Sequence, residues 1–441
     1  MKRTCCWIPA AVVLGAAIMI VRAATPAFAA APISWQSRGI GAGGGMYSPV
    51  ISPLDTDVMF LGVDMSQMMR TTNGGALWST VDFAQLQARQ ITEVQFTSTP
   101  GVLYSGDNRR NADETSLTRP VKSTDQGTTW VPFSQWPPTP NTLTTGVFSD
   151  PNRDDTFIVC TGNALFFYKN SGTTGAFTPV WTFAASTGRV GGTFWRGNEI
   201  WIGTNEGLLY SGNGGQSFSA TLSPGNPRIA SFCGGYDPTN NVLRFHAVTT
   251  LYNLRATDFP NTYSHSPSNR VWRIDWTAAS PAWTDVTGDI PSADHVQLVG
   301  MAKNNPDVVY AAASRTGSYP DNCAVWRVTG MGTNWTGIFF IPGNSNILTG
   351  WGGINSRANF GGLQFETKIT YNAPCGFTVH ALDANRLIVC DNALIHLSTN
   401  ATASSPVWEQ MYCVKDNPGH DPGQRFASGQ FYAGKGMEAT V

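Results

Sequence analysis

Short apolar runs recur along the chain, and residues that favour turns lie between them. Each run is rich in β-branched or aromatic side chains, which is typical of strands rather than helices. Helical periodicity is weak, and only VDFAQLQARQITEV over residues 81–94 could form a short helix. The pattern therefore predicts an all-β protein. The seven runs are VMFLGVD, GVLYSGD, TFIVCTG, EIWIGTN, VLRFHAV, VVYAAAS and RLIVCDN.

A turn of constant form follows three of these runs. TTNGGALW, STDQGTTW and SGNGGQSF share the pattern S/T-x-D/N-x-G-x-x-W/F. The short polar side chain can hydrogen-bond within its own turn, the glycine can adopt a positive φ, and the final aromatic ring can pack between sheets. Each copy is predicted to join two strands as a tight hairpin. The residues given these structural roles are Asn73, Gly75, Trp78, Asp125, Gly127, Trp130, Asn213, Gly215 and Phe218.

Four weaker copies of the turn keep mainly the aromatic residue. Together the seven aromatic positions are separated by a mean of about 55 residues. Four-stranded units of this length cannot bury both faces alone, so they stack around an axis as a β-propeller. We therefore expect one seven-bladed β-propeller over residues 31–430. The seven aromatic residues are Trp78, Trp130, Trp181, Phe218, Trp283, Trp335 and Trp408.

Residues 1–30 have the pattern of a secretory signal peptide. A basic start at Lys2 and Arg3 precedes an apolar run and the small-residue sequence AFA at 27–29. The mature protein is therefore predicted to be secreted or periplasmic. A retained membrane anchor is the alternative, but Arg22 directly after the apolar run makes a full bilayer span awkward.

Charge and cysteine content exclude several kinds of partner. The formal net charge of the chain is −1, and removing the three basic residues of the signal lowers it further. An acidic chain offers no attraction for nucleic acid or for an anionic membrane surface. Six cysteines remain after the signal is removed, and the sequence cannot choose among their pairings. There is no CxxC pair and the histidines are scattered, so we expect no metal and no cofactor.

The three clear turns resemble the Asp-box, or BNR, repeat. This repeat is found in sialidases, sortilin-type receptors, photosystem II assembly factors and the xyloglucan-hydrolysing family 74 glycoside hydrolases. The resemblance implies a propeller fold, but a propeller is a frame on which unrelated sites are built. Function must therefore be argued from the loops.

Three acidic residues come at or just after the ends of predicted second strands, where the loops border the central opening. They are Asp64 in GVDMS, Asp107 in SGDNRR and Glu206 in GTNEG. Acids that converge on one rim could form a sugar-binding or hydrolytic site. The alternative for each is a turn residue or a local salt-bridge partner.

The segment 39–78 resembles the opening blade of family 74 enzymes. In that family the second strand leads into Asp-x-Gly-Gly-x-Tyr-Arg, and here Asp64 and Arg70 match while the Gly-Gly and the Tyr do not. The resemblance implies that Asp64 is one of two catalytic acids. If the chain forms a single propeller, Asp107 or Glu206 on the same rim is the candidate for the second. Arg70 is assigned to substrate binding. The missing glycines mean that the shape of the adjoining subsite does not carry over.

Aromatic residues give a further set of candidate substrate contacts. Trp351 and Phe360 lie in a long loop rich in glycine and asparagine, and Trp195 lies in GGTFWRGNEIW. Exposed rings stack on sugar faces, and long loops are often functional. The alternative is burial, because propellers also place many tryptophans between blades.

The last residues, 431–441, resemble the start of a second propeller. In family 74 the second acid comes from a second propeller that faces the first across a cleft. The sequence GKGMEATV therefore suggests that the partner of Asp64 lies beyond Val441. The alternative is that this segment supplies a closing strand to the first propeller.

The preferred function is an exported glycoside hydrolase that cuts a β-linked polysaccharide such as xyloglucan with paired carboxylates. A non-catalytic propeller that binds a protein or a glycan is the main alternative. A sialidase is disfavoured because the Phe/Tyr-Arg-Ile-Pro sequence that precedes the first Asp box in that family is absent. The expected partner is in each case a polysaccharide, an oligosaccharide or a protein, not nucleic acid or a membrane.

Overall fold

Seven antiparallel sheets follow one another along the chain, and each contains one of the apolar runs as its second strand. In the computed structural model the described residues are 34–37, 46–63, 67–75, 78–110, 116–136, 144–170, 175–184, 188–254, 266–315, 322–340, 347–348, 358–360, 363–365, 374–390, 395–410 and 437–440. The all-β class and the seven-bladed β-propeller predicted from the sequence are confirmed.

Blades are numbered 1 to 7 in chain order, and the strands of each blade are given in order from the axis outward. The strands of blades 1 to 3 are Met46–Ile51, Met59–Val63, Met68–Thr71 and Ser79–Thr80; Gln95–Phe96, Leu103–Arg110, Ser116–Ser123 and Val131–Pro132; and Thr144–Ser149, Thr156–Thr161, Ala164–Lys169 and Ala176–Thr182. Those of blades 4 and 5 are Val190–Arg196, Glu199–Thr204, Gly207–Ser211 and Ser219–Ala220; and Ile229–Asp237, Val242–Thr249, Arg270–Asp275 and Thr284–Asp285.

Blade 6 contains Asp294–Met301, Val308–Arg315, Asn322–Thr329 and Thr336–Phe340. Blade 7 contains Gly376–Val379, Leu387–Cys390, Ile395–Ser398 and Trp408–Gln410, with Ile347–Leu348 added in parallel to its outermost strand. Between Ile347–Leu348 and Gly376–Val379, Ala358–Phe360 pairs with Leu363–Phe365 as a separate hairpin.

Besides that hairpin, two further strands lie outside the blades. Ser34–Ser37 and Met437–Thr440 pair as a two-stranded sheet, most of which belongs to a separate unit made of residues 1–36 and 439–441. The division into a signal at 1–30, a propeller at 31–430 and a further segment at 431–441 stays a prediction.

The second strands are apolar runs because both of their faces are covered. Every residue of Met59–Val63 and Thr156–Thr161 is buried, since each sheet lies between two neighbouring blades. A strand covered on both sides needs no polar alternation. The short outer strands Ser79–Thr80, Ser219–Ala220 and Thr284–Asp285 are exposed instead. Short polar edges of this kind discourage pairing between molecules.

The three turns predicted from the repeat share one hydrogen-bond pattern, and we call them the repeat turns. In blade 2 the Ser123 hydroxyl donates to Asp125 Oδ1 (2.8 Å) and accepts the Gly127 N–H (2.8 Å). Thr71 makes the same two contacts with Asn73 and Gly75, and Ser211 makes them with Asn213 and Gly215. Gly75, Gly127 and Gly215 have φ values of 89°, 82° and 91°. The local chemistry read from the sequence therefore fixes these turns.

In blades 1, 2 and 7, the aromatic residue after the turn between the third and fourth strands packs on the preceding blade. We call this turn the outer turn of a blade. Trp130 of blade 2 contacts the core of blade 1, and Trp408 of blade 7 contacts that of blade 6. Trp78 of blade 1 packs with Ile388 and Leu397 of blade 7, which closes the ring. In blade 3, Trp181 instead packs in the core between blades 3 and 4, and Phe177 makes the contact with Trp136 of blade 2.

The prediction of a short helix in residues 81–94 is wrong, because the structure has only turns and irregular backbone there. Asp82 caps only one turn, accepting the Ala84 N–H on its side chain (2.9 Å) and the Leu86 N–H on its carbonyl (3.1 Å). Beyond that turn Gln87 is bound to blade 2, where its N–H donates to Asp107 Oδ1 (3.0 Å). Tertiary hydrogen bonds therefore override the weak helical pattern.

The structure also bears on the cysteines and on possible membrane-spanning segments. Cys160, Cys233, Cys323, Cys375 and Cys390 are free thiols, and Cys413 lies outside the described residues. In the part of the chain that the structure describes, no helix has the length and apolar character that a membrane crossing needs.

Two glycine variants separate backbone strain from inter-blade crowding. A methyl group at Gly127 would collide with the ring of Phe60 in blade 1, whereas one at Gly197 would meet no atom within 4 Å. Both residues have positive φ, at 82° and 59°. We expect Gly197→Ala to lower the free energy of unfolding by about 1 kcal/mol. Gly127→Ala should cost about 1–3 kcal/mol more because of overpacking. Equal losses in denaturant titrations would show that the repeat turn does not pack as described.

Candidate functional site

The connections between the second and third strands of all blades lie at one end of the propeller, which we call the loop face. The second strands of blades 1 to 7 reach this face at Val63, Arg110, Thr161, Thr204, Thr249, Arg315 and Cys390. The repeat turns lie at the opposite end, because they follow the third strands. Residues on the loop face can converge although they come from distant parts of the sequence.

Asp64 lies outside the described residues, and the structure describes only its flanks. Val63 donates its N–H to the carbonyl of Gln67 (2.8 Å), so the second and third strands of blade 1 are joined across this point. A methyl group at Gly62 would lie 3.2 Å from the Arg89 carbonyl and 3.3 Å from that of Thr92. The end of this strand therefore packs against the segment that leads into blade 2.

Asp107 is committed to contacts within blade 2. Its side chain is fully buried and pairs with Arg119 Nε at 3.3 Å. The other carboxylate oxygen accepts the Gln87 N–H at 3.0 Å. Removing this buried carboxylate would leave Arg119 and the Gln87 N–H without it, so the geometry favours a structural role.

Glu206 lies on the loop face in the hairpin between Thr204 and Gly207 of blade 4. Its Oε1 accepts the Ala184 N–H (2.8 Å) and so fastens the chain between blades 3 and 4. The side chain is half-buried. It belongs to blade 4 and Asp107 to blade 2, so blade 3 lies between these two acids.

Arg70 occupies a position that recurs around the ring. Its Nε donates to the Gln126 carbonyl in the repeat turn of blade 2 (2.8 Å). Arg273 of blade 5 donates in the same way to Met331 of blade 6 (2.6 Å), and Arg327 of blade 6 donates to Ala401 of blade 7 (2.5 Å). Each arginine joins its blade to the outer turn of the next, at the end away from the loop face. Arg70 is therefore engaged in blade-to-blade contact.

The three aromatic candidates fall in different places. Trp195 is 4% exposed, and it packs in the core between blades 3 and 4. Its ring consequently offers no open face for stacking on a sugar. Trp351 lies outside the described residues. Phe360 is in the strand Ala358–Phe360, but its side chain is not among those described.

A central cavity along the axis was not found from the sequence. It has a volume of about 350 Å³ and is lined by the first strands of all seven blades and by residues next to them. Its charged lining residues are Glu93, Arg189 and Lys303. The sequence signal was weak because Glu93 precedes a first strand of only two residues, Gln95–Phe96.

β-Bulges interrupt five of the first strands near the loop face. A bulge inserts unpaired residues into one strand and locally redirects its backbone. These interruptions lie along the innermost strands, so they shape the wall of the cavity. The inserted residues are Ser48 and Pro49, Thr145, Gly191, Ala230 and Gln297.

The charges in the cavity are perturbed by burial. Removal from water raises the pKa of Glu93 to about 7, and the positive charge of Lys303 opposes this rise. Burial lowers the pKa of Lys303, opposed by the negative charges of Glu93 and Asp150. Each side chain is half-buried, with protein on all sides except the cavity. Among the described residues, no group of three His, Cys, Asp or Glu side chains is placed to hold a metal.

Solved structures of family 74 glycoside hydrolases share this fold. The chain is similar to the GH74 enzyme of Niastella koreensis, with 17% sequence identity and a TM-score of 0.56 over 85% of this chain and 55% of that one. For the GH74 xyloglucanase of Xanthomonas campestris the identity is 13% and the TM-score 0.60, over 86% of this chain and 56% of that one. For an ancestral GH74 enzyme the identity is 15% and the TM-score 0.60, over 90% of this chain and 50% of that one.

The likeness concerns the fold, because these identities are low. It confirms the resemblance to family 74 propellers at that level, and the chain spans about half the length of each of the three structures. No protein-family profile matches the sequence, and no curated protein matches it either.

Arg70→Ala tests the blade-to-blade contact. Burial lowers the pKa of the Arg70 guanidinium while Asp125 raises it, so the group is partly removed from water next to the repeat turn. Loss of a hydrogen bond from a charged, half-buried donor should lower the free energy of unfolding by about 1 kcal/mol. Arg228→Ala is the matched control. The Arg228 guanidinium makes a long, weak hydrogen bond of 3.5 Å to the Leu251 carbonyl, so its removal should change stability less. Equal stability of Arg70→Ala and wild type would contradict the assignment.

Glu93→Gln tests the buried charge in the cavity. Because the folded-state pKa of Glu93, about 7, lies above the ordinary value of 4.5, its contribution is intact at acidic pH and is lost as pH rises through 7. The variant should match wild type near pH 4.5 and be more stable near pH 8 by on the order of 2 kcal/mol. The charges that face this group are Lys303, Arg189 and, through Lys303, Asp150. Unfolding curves of both proteins across this range give the difference directly, and a constant difference would contradict the raised pKa.

Proposed function

We propose that this chain is the propeller of an exported glycoside hydrolase that cuts a β-linked polysaccharide such as xyloglucan. The observation that carries the proposal is the likeness of fold to three family 74 structures, combined with an acid, Asp64, directly after the second strand of blade 1. In the sequence motif of that family an aspartate at this position is catalytic. A secreted or periplasmic location and the naming of the repeat turns as Asp boxes belong to the same proposal.

Hydrolysis with inversion requires two carboxyl groups on opposite sides of the glycosidic bond. One protonates the leaving oxygen, and the other, roughly 6.5–9.5 Å away, activates a water molecule. One aspartate cannot perform both tasks in a single step. Asp64 therefore acts with a second acid across a cleft.

The described contacts bear on the choice of second acid. Both oxygens of Asp107 are bound within blade 2, which removes it from contact with a substrate. Glu206 is closer to solvent but holds the Ala184 N–H, and it belongs to blade 4. We therefore place the second acid in a further propeller, consistent with the matched structures extending well beyond the half that this chain covers. Glu206 is retained as the candidate within this chain.

A non-catalytic propeller that binds a glycan or a protein is the second candidate. One observation favours it: Arg70 and Trp195 make contacts between blades, and Asp107 is bound inside blade 2, so these three candidates are engaged within the protein. A binding protein would use the loop face without needing paired acids. Binding to immobilised xyloglucan without release of sugar would support this alternative.

Asp64→Ala in the complete reading frame tests the catalytic proposal. We expect reducing-sugar release from xyloglucan by the wild type and a loss of at least about a hundredfold in the variant, because an acid or base in the reaction is removed. Asp82→Ala, an exposed aspartate in the loop after blade 1, is the matched control and should keep full activity. Equal rates for Asp64→Ala and wild type, or no release from any β-glucan, would reject the role of Asp64.

A further inference from the structure

The central cavity contains two opposite charges that do not meet. Glu93 belongs to blade 2 and Lys303 follows the first strand of blade 6, which lies across the axis. The two groups interact electrostatically. Within the described part of the chain, neither side chain has a hydrogen bond or an ion pair. Both residues line the cavity.

The backbone on both sides is held firmly. Lys303 donates its N–H to Ala381 of blade 7 (2.7 Å) and accepts the N–H of Tyr236 of blade 5 (2.7 Å). The carbonyl of Glu93 accepts the Ser105 hydroxyl (3.0 Å). The backbones of both residues are therefore anchored in blades that lie on opposite sides of the axis.

Half-buried charges without partners are costly, and proteins normally pair them. Here the nearby Asp150 cannot serve Lys303 fully, because it binds Arg153 Nε (2.5 Å) and the Asn152 N–H (2.8 Å). A bound molecule with a positive and a negative group would satisfy both Glu93 and Lys303. A cavity of about 350 Å³ is large enough for a small polar molecule.

We propose that the central cavity binds a small zwitterion of the amino-acid type, with its ammonium group on Glu93 and its carboxylate on Lys303. This site lies on the axis of the propeller and is independent of glycan hydrolysis at the loop face. Charge-assisted hydrogen bonds at both ends provide selectivity over neutral molecules.

Binding is linked to protonation. Near neutral pH the carboxyl group of Glu93 is partly protonated. An ammonium group bound against it favours the carboxylate, so the zwitterion displaces a proton and binds more tightly as pH rises through 7. The other charged groups facing the site are Lys303 and Arg189, with Asp150 behind Lys303. The thiols of Cys233 and Cys375 also line it, and burial raises the pKa of Cys233 so that this thiol stays neutral.

Isothermal titration calorimetry of the full chain tests the proposal with glycine, β-alanine and γ-aminobutyrate, which differ in the separation of their charges. At least one should bind and release protons near pH 7, as measured in buffers of different ionisation enthalpy. Methylamine and acetate, which carry one charge each, should bind at least about tenfold more weakly. Glucose should give no heat of binding.

Charge variants identify the residues responsible. Glu93→Gln should weaken binding at least about tenfold and abolish proton release, and Lys303→Met should weaken it similarly. Lys303→Arg keeps the positive charge and should keep binding, which covers the case in which Lys303→Met does not fold. Lys169→Met, at an exposed lysine of blade 3, is the matched control and should bind like wild type. Absence of binding by all three zwitterions, binding unaffected by the Glu93 and Lys303 variants, or equal binding of glucose would each overturn the proposal.

Discussion

The structure depends on burying both faces of every sheet. A four-stranded sheet of this size cannot cover its own apolar faces, so each blade needs two neighbours, and only a closed ring gives every blade both. Trp78 closes the ring by packing on Ile388 and Leu397 of blade 7. The first strands of blades 7 and 1 also meet closely there, since a methyl group at Gly376 would collide with Pro49. Stability of one blade is therefore inseparable from that of the others.

This constraint accounts for the contacts that two candidate site residues, Arg70 and Asp107, make in the ring. Arg70, Arg273 and Arg327 each donate to the outer turn of the following blade. Asp107 pairs with Arg119 of the next strand, and it accepts the Gln87 N–H, which joins the segment before blade 2 to its second strand. A ring of repeated contacts needs strong polar joints at equivalent places. Strong polar groups near strand ends are therefore a poor guide to chemistry in this fold.

The sequence was informative where structure is decided locally. The repeat turns follow from a hydroxyl, a carboxylate or amide, and a glycine within five positions, and the second strands follow from continuous apolar runs. The first strands were harder to predict because bulges break them and one has only two residues, Gln95–Phe96. Glu93 and Lys303 could not be associated from sequence. Their proximity arises from ring closure, which brings together blades that are far apart in the chain.

Ring closure also separates two kinds of site. The axial cavity is lined by all seven blades, and the backbones of Glu93 and Lys303 are anchored on opposite sides of the axis. Groups on the loop face are fixed only by their own connections, as Glu206 is by its contact with Ala184. Hydrolysis of a polysaccharide needs an open surface for the chain and two carboxylates on opposite sides of the glycosidic bond. The loop face of the propeller can supply the open surface, but the carboxylate of Asp107 is already bound within the protein. Hydrolysis through Asp64 therefore requires a second surface that faces the propeller, whereas binding in the axial cavity requires none.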